Sequence, residues 1–167
     1  ANDKLTIPNN QSQLLTIAAI SEELGQYDER YYLIAEQLLR RLASVKPSET
    51  LRVASVIGIH GDTAKVKEAL EMCFAATDKE ISPIVGAGVA LAILREHPGD
   101  WEGSLAPSIQ QTDKWLDANL AANPSDIMFQ WRVAEFHDMI GNLDRVQAEY
   151  EKILNAPKFT NPTDRGM

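Results

Sequence analysis

The sequence predicts an all-α solenoid of about four antiparallel helical hairpins, and three observations support this fold class. Residues 52–76 and 132–156 align without a gap and share seven of twenty-five residues. An alanine followed seven residues later by a glycine occurs four times, as Ala18/Gly25, Ala54/Gly61, Ala92/Gly99 and Ala134/Gly141. The positions three before, one before and two after each of these alanines are all apolar. Such a repeat indicates stacked hairpins that bury a continuous core.

Each unit is predicted to contain one helix around its alanine and a second helix after its glycine. The apolar positions of the first helices are Leu15/Ile17/Ile20, Leu51/Val53/Val56, Val89/Leu91/Leu94 and Trp131/Val133/Phe136. Those of the second helices are Ile34/Leu38/Leu42, Val66/Leu70/Phe74, Ile109/Trp115/Leu116 and Val146/Tyr150/Leu154. This spacing predicts eight helices. The predicted units are about 12–45, 48–77, 80–122 and 125–156, with an N-terminal extension at 1–11 and a tail at 157–167.

The predicted boundaries coincide with residues that start or stop helices. The segment NPSD at 123–126 offers Ser125 as the N-cap of the seventh helix, and HPGD at 97–100 stops the fifth. A glycine after a helix takes the left-handed conformation without a steric penalty, and an alanine in mid-helix lets a neighbouring helix approach. The repeated alanines and glycines therefore have a physical reason.

The charge of the chain argues against two classes of partner. Its 16 Lys and Arg residues and 24 Asp and Glu residues give a net charge of −8, which repels nucleic-acid phosphates and anionic lipids. The most apolar window, residues 81–94, is too short to span a bilayer. We therefore expect a protein or peptide partner, with no nucleic-acid binding and no membrane insertion.

The single cysteine bears on chemistry and on compartment. Cys73 lies among Leu70, Met72 and Phe74, where a buried and inert thiol is expected. No disulfide can form within the chain, which slightly favours a cytoplasmic protein but is compatible with an exported one. The compartment therefore stays open.

The repeat resembles the tetratricopeptide family. The likeness rests on the small residue midway along the first helix, the glycine seven residues later, and a second helix such as GNLDRVQAEYEKIL at 141–154. It covers about residues 12–156 and implies a right-handed α-α superhelix. The family usually has a small residue five after the turn glycine, where this sequence has Arg30, Val66, Ser104 and Val146. A related helical-hairpin solenoid explains the pattern almost as well.

The resemblance also implies a concave ligand-binding face lined by the first helices. Its positions lie three before, one after and four after each alanine: Leu15, Ala19, Glu22, Leu51, Ser55, Gly58, Val89, Ile93, Glu96, Trp131, Glu135 and Asp138. This face is apolar with acidic edges, and it lacks the Lys, Arg and Asn residues with which some family members hold a C-terminal carboxylate. We therefore expect an apolar or basic segment, extended or helical, to bind there. As an alternative, the residues three before each alanine are core contacts between units.

The sequence contains no recognisable catalytic or metal-binding motif. His60, His97 and His137 include no pair at the i, i+4 spacing that places two metal ligands on one helix face. The GxSxG motif is absent, and GAG at 86–88 lacks the strand and the lysine of a phosphate-binding loop. We therefore expect no enzyme activity, no cofactor and no metal. An all-helical enzyme assembled from residues distant in sequence is the remaining alternative.

Two segments outside the repeat pattern carry further expectations. Trp101 lies in a lengthened third turn, WEGSLAP at 101–107, which is either a functional loop or a loop folded back over its hairpin. The tail ends in TDRGM, which looks like the entry to another repeat, so we expect a piece of a longer repeat protein. The predicted function is an interaction scaffold. The alternative is a regulatory or accessory segment of a larger enzyme or of a secretion or assembly complex.

Overall fold

A computed structural model describes residues 10–76 and 81–156, which are almost entirely helical. The α-helices in these ranges are α1 (Gln11–Gly25), α2 (Arg30–Val45), α3 (Thr50–His60), α4 (Thr63–Ala75), α5 (Pro83–Glu96), α6 (Ala106–Ala122), α7 (Ile127–Met139) and α8 (Leu143–Leu154). No strand occurs in the described ranges, and the all-α prediction is confirmed. The extension before residue 10 and the truncated repeat predicted at 157–167 lie outside the described residues.

The chain divides into two compact units, Ala1–Ile81 and Ser82–Met167. In the first unit α1 packs on α2 and α3 packs on α4, and α2 also contacts α3. In the second unit α7 packs on α8 and also contacts α5 and α6. The first unit therefore contains two consecutive packed pairs, and the second contains the packed pair α7–α8 with α5 and α6 beside it.

The predicted alanines occupy the core in three of the four helical pairs. Ala18, Ala54 and Ala134 are fully buried, but Ala92 is only half-buried and Leu91 takes its place. The buried run Ala90, Leu91, Ile93 and Leu94 matches Val133, Ala134, Phe136 and His137. The predicted register of α5 is therefore wrong by one residue. Because α5 is apolar on most of its surface, its sequence period does not fix which face is buried.

Three of the predicted apolar stripes lie partly in solvent, and one of them includes the exposed Trp131 of α7. Ile17 and Ile20 of α1 are exposed, and so are Tyr150 and Leu154 of α8. In α8 the fully buried side chain is the carboxylate Glu149. Helical spacing shows which residues share a face, but it does not show whether that face is covered.

Side-chain caps occupy aligned positions at the start of α4 and of α8. Asp62 Oδ1 accepts a hydrogen bond from the Lys65 backbone N–H at 3.0 Å. Asn142 Oδ1 accepts the corresponding bond from Arg145 at 3.3 Å. The 80-residue internal repeat is thus also a repeat of helix-starting contacts.

The ends of α5 and α7 test two predicted boundaries. Helix α5 ends at Glu96, directly before HPGD, so this prediction is confirmed. Asp126, however, is the N-cap of α7, since its Oδ1 accepts from the Phe129 N–H at 3.0 Å. The predicted Ser125 cap is wrong by one residue, because either side chain in NPSD could have accepted this bond.

The aligned turn glycines are needed for different reasons. Gly141 has a φ of 76°, the left-handed conformation predicted for a glycine after a helix. Gly61 has an extended backbone, with φ −89° and ψ 170°. A Cβ there would overlap the carbonyl oxygen of Ile57 and the side chain of Lys65, so close approach excludes larger residues.

Ion pairs join the successive helical pairs within each unit. First helices are linked by Glu22–Arg52 at 3.3 Å and by Arg95–Glu135 at 2.5 Å. Second helices are linked by Glu36–Lys65, by Arg40–Glu68 at 2.8 Å and by Asp117–Arg145 at 2.6 Å. First helix therefore meets first helix, and second helix meets second helix, in both units.

Candidate functional site

In the first unit, the predicted concave positions present little exposed apolar surface. Ala19 is exposed, Leu15, Glu22 and Ser55 are half-buried, and Leu51 and Gly58 are buried. Leu51 therefore belongs to the core, as the alternative interpretation of these positions expects. The Glu22 carboxylate is already paired with Arg52.

In the second unit, the same positions leave more side chains accessible. Glu96, Trp131 and Asp138 are exposed, Val89 and Glu135 are half-buried, and Ile93 is fully buried. Ile93 therefore packs in the core, as the shifted register of α5 requires.

Two exposed residues that the sequence analysis did not select extend this surface. Val85 lies four residues before Val89 on α5, and Met128 lies three residues before Trp131 on α7. Residues at these spacings share one helix face, a signal that was available in the sequence. We define the first-helix face as Val85, Val89 and Glu96 of α5 with Met128, Trp131, Glu135 and Asp138 of α7.

Glu135 links the two helices of the first-helix face. Its carboxylate lies 2.5 Å from Arg95 of α5 and 2.7 Å from Arg132 of its own helix. Burial alone would raise the pKa of Glu135, but the hydrogen bonds from Arg95 and Arg132 outweigh burial and lower it. Glu135 is therefore a charged structural link between α5 and α7.

Trp131 connects the first-helix face to α8. Its ring centroid lies 5.6 Å from that of Tyr150, with the rings inclined at 69°. This edge-to-face arrangement is favourable for aromatic pairs and holds both side chains in place. Tyr150 was predicted as a core residue, but the structure places it beside Trp131 at the surface.

Trp101 folds back onto the end of α5. Its indole Nε1 donates a hydrogen bond to the Leu94 carbonyl oxygen at 2.9 Å. The same carbonyl oxygen also accepts a hydrogen bond from the His97 backbone N–H at 3.2 Å, so the indole adds a second bond at this helix end. The lengthened loop thus has a structural role at the C-terminus of α5.

A group of buried ionisable residues lies where α6, α7 and α8 meet. His137 is 3% exposed, and its Nε2 lies 3.4 Å from Asp113 Oδ1 of α6. Neither ring nitrogen has a hydrogen-bond partner among the described residues. Burial lowers the pKa of His137 below 6.5, and the Asp113 carboxylate only partly opposes this effect. The imidazole is therefore held in its neutral form.

Glu149 of α8 lies at the same junction and is fully buried. Its Oε1 accepts hydrogen bonds from Arg145 Nε at 2.9 Å and from Lys152 Nζ at 2.8 Å. Arg145 also reaches Asp117 of α6 at 2.6 Å. These bonds explain how a carboxylate can occupy a core position.

The titratable groups around one cleft of the first unit are engaged with one another, and Cys73 is inert. A cleft of about 230 Å³ in the first unit is lined in part by Tyr32, His60, Glu36 and Lys65. The Tyr32 and His60 rings stack at 3.6 Å, and Glu36 pairs with Lys65. Burial raises the pKa of the Cys73 thiol to about 12, as expected for an inert cysteine.

No group of three or more His, Cys, Asp or Glu residues in the described ranges could hold a metal ion. None of the described helices is both long enough and apolar enough to cross a membrane.

Comparison with known proteins gave no relative from which a function could be transferred. No protein-family model, no curated protein and no solved structure matches the chain. Any functional assignment therefore depends on the surfaces described above.

Proposed function

We propose that this protein is a tetratricopeptide-like repeat protein whose helical pairs form a right-handed superhelix and act as a non-catalytic protein-binding scaffold. The aligned caps Asp62 and Asn142 support a repeated helical pair. The ion pairs from first helix to first helix and from second helix to second helix support stacking of those pairs. Stacked pairs of this kind present an extended face to a ligand.

The first-helix face of the second unit carries this proposal. Met128 and Trp131 expose large apolar side chains on α7, and Val85 does so on α5. Contiguous apolar side chains in solvent are costly for a soluble protein unless a partner covers them. A tryptophan at the centre of such a surface is a common anchor in protein interfaces.

The charges beside these residues define the kind of segment that fits. Glu96 and Asp138 are exposed and form no ion pair among the described residues. Arg95 and Arg132, the basic residues closest to them in sequence, are both engaged with Glu135. The ligand is therefore a segment that combines apolar side chains with Lys or Arg, as the acidic edges favour opposite charge.

Calorimetric titration of the full chain with synthetic peptides tests this function. Three peptides of about 12 residues would combine leucine with lysine, leucine with glutamate, and serine with lysine. We expect measurable binding for the leucine–lysine peptide alone, because both apolar contact and positive charge are required. The double variant Trp131→Ala/Glu96→Lys should weaken this binding at least about tenfold.

A matched control uses the exposed Tyr27 and Glu23 of the first unit. The variant Tyr27→Ala/Glu23→Lys removes one aromatic ring and changes the net charge by the same amount. It should bind the leucine–lysine peptide as the unaltered chain does. Equal losses in both variants would show that only total charge matters, and would reject the first-helix face.

A further inference from the structure

A second apolar surface extends over α7 and α8 at one end of the second unit. Its members are exposed by 61% (Met128), 48% (Trp131), 68% (Leu143), 36% (Tyr150) and 66% (Leu154). We call these five residues the end patch. Leu143, Tyr150 and Leu154 are separated by seven and four residues and therefore share one face of α8.

Met128 and Leu154 lie at the same end of this helical pair. Only residues 140–142 separate α7 from α8, so the two helices run antiparallel. Trp131 contacts Tyr150. Met128 is three residues before Trp131, and Leu154 is four residues after Tyr150. The contact between Trp131 and Tyr150 therefore joins the α7 and α8 parts of the end patch.

The α8 part of the end patch faces away from α6. Arg145 points towards α6, where it reaches Asp117. Tyr150 follows Arg145 by five residues, a rotation of about 140° around the helix. The α8 part of the patch thus lies on the side opposite to α6, where no described helix covers it.

The charges around the end patch are mixed, but the described groups there that lack an ion-pair partner are acidic. Arg145 and Lys152 are both directed to the buried Glu149. In contrast, Asp138, Asp144 and Glu151 are exposed and form no ion pair among the described residues. A ligand for this surface therefore needs positive charge beside its apolar face.

Ion pairs already join helices of this chain. Asp117 of α6 pairs with Arg145 of α8, and Glu36 of α2 pairs with Lys65 of α4. The exposed carboxylates beside the end patch can form the same kind of pair with Lys or Arg of a partner helix.

We propose that the end patch is a docking site for an amphipathic helix of a partner protein, with leucine-like residues on one face and Lys or Arg along its edges. This inference rests on the proposed scaffold function and adds a second surface to it. From Leu143 to Leu154 the stripe is about 16 Å long, which corresponds to a partner helix of about three turns. A second copy of this chain fits less well, because its α8 would bring the same carboxylates against Asp144 and Glu151.

Two leucine–lysine peptides of equal composition test the proposal by calorimetry on the full chain. One has leucine at every third or fourth position, so that its leucines share a helix face, and the other has the same residues in scrambled order. We expect the patterned peptide to bind at least about tenfold more tightly. The variant Leu143→Ser/Leu154→Ser should abolish this preference, since both leucines belong to the end patch and not to the first-helix face.

Two controls test whether the loss of preference is specific to the end patch. Leu33→Ser/Val45→Ser removes two exposed apolar side chains of the first unit and should keep the preference. Circular dichroism should show unchanged helix content in both double variants, because all four side chains are exposed. If the Leu143→Ser/Leu154→Ser variant loses helix, Leu154→Lys alone, which repels a basic helix, replaces it.

The outcomes distinguish this inference from the proposed function. Equal binding of both peptides, unaffected by the end-patch variant, would overturn the docking site and leave the scaffold function intact. Binding of neither peptide would reject both the docking site and the scaffold function.

Dimerisation in sedimentation experiments that requires Leu143 and Leu154 would identify a second copy as the occupant and overturn the inference. Tighter peptide binding after removal of residues 157–167 would also overturn the inference, because the chain's own tail would then be the occupant of the end patch.

Discussion

The helical pairs α3–α4 and α7–α8 show how one backbone arrangement carries two different surfaces. Their sequences align over residues 52–76 and 132–156 without a gap. Val53 and Ala54 are buried in the first unit, and the aligned Val133 and Ala134 are buried in the second. The residues that hold each pair together are therefore equivalent, and the functional difference lies elsewhere.

One difference is at the surface. Leu51 and Leu70 are buried, whereas the aligned Trp131 and Tyr150 are exposed and contact each other. Apolar side chains that complete the core of the first unit correspond to aromatic side chains in solvent in the second. This contrast is the reason why the proposed binding surface lies in the second unit.

The other difference is in the interior. Buried Ile57 and Ala69 correspond to buried His137 and Glu149. The first unit thus buries apolar side chains at all four positions, whereas the second unit exposes aromatic side chains at two of them and buries ionisable groups at the other two. Burying such groups is costly unless they are paired, so the second unit should be more sensitive to loss of those partners.

The aligned cations Lys65 and Arg145 give the largest expected contrast. Arg145→Ala leaves the fully buried Glu149 with Lys152 alone, and we expect a loss of about 2–3 kcal/mol in the free energy of unfolding. Lys65→Ala should cost less than about 1 kcal/mol, because Glu36 keeps Arg40 and is partly solvated. Urea unfolding monitored by circular dichroism measures both. Equal losses of unfolding free energy would show that burial of Glu149 does not make its cationic partner more important for stability than Lys65 is in the first unit.

A smaller expected contrast concerns how the free energy of unfolding depends on pH. Because burial lowers the pKa of folded His137, the unfolded chain binds the proton more readily, and stability falls as pH drops below about 6.5. His137→Ile restores the residue aligned in the first unit and should raise the free energy of unfolding by about 1 kcal/mol at neutral pH. The gain should grow at about pH 5.

Urea unfolding of this variant at both pH values provides the measurement. A His137→Ile variant that loses stability on acidification as steeply as the unaltered chain would assign the effect to other groups.

The smallest contrast is at the helix starts. Asp126 caps α7 through its side chain, whereas α3 begins without a side-chain cap. Asp126→Ala should therefore lower stability by about 1 kcal/mol, and Ser125→Ala should have almost no effect. Thermal unfolding of the two variants decides between the neighbouring residues. A larger effect at Ser125 would restore the cap predicted from the sequence.

The sequence was sufficient for the helical pairs because their determinants are local. The turn at Gly141 and the buried Ala18, Ala54 and Ala134 follow from spacing alone. The buried face of α5 could not be obtained in this way, since Ala92 and Ala90 lie in a helix that is apolar on most sides.

The candidate site was only partly predictable for a related reason. Trp131 was selected for the accessible face, but Tyr150 and Leu154 were assigned to the core. An apolar stripe looks the same in sequence whether or not another helix covers it. Burial of Glu149 could not be predicted from the sequence either, because it depends on Arg145 and Lys152 folding back onto the carboxylate.

The edge-to-face contact of Trp131 with Tyr150 has a practical consequence. An indole that is half in water emits at longer wavelength than one shielded by protein. A ligand that covers either surface adjoining Trp131 should therefore shift its emission to the blue, and the molecule would report its own occupancy without any attached dye.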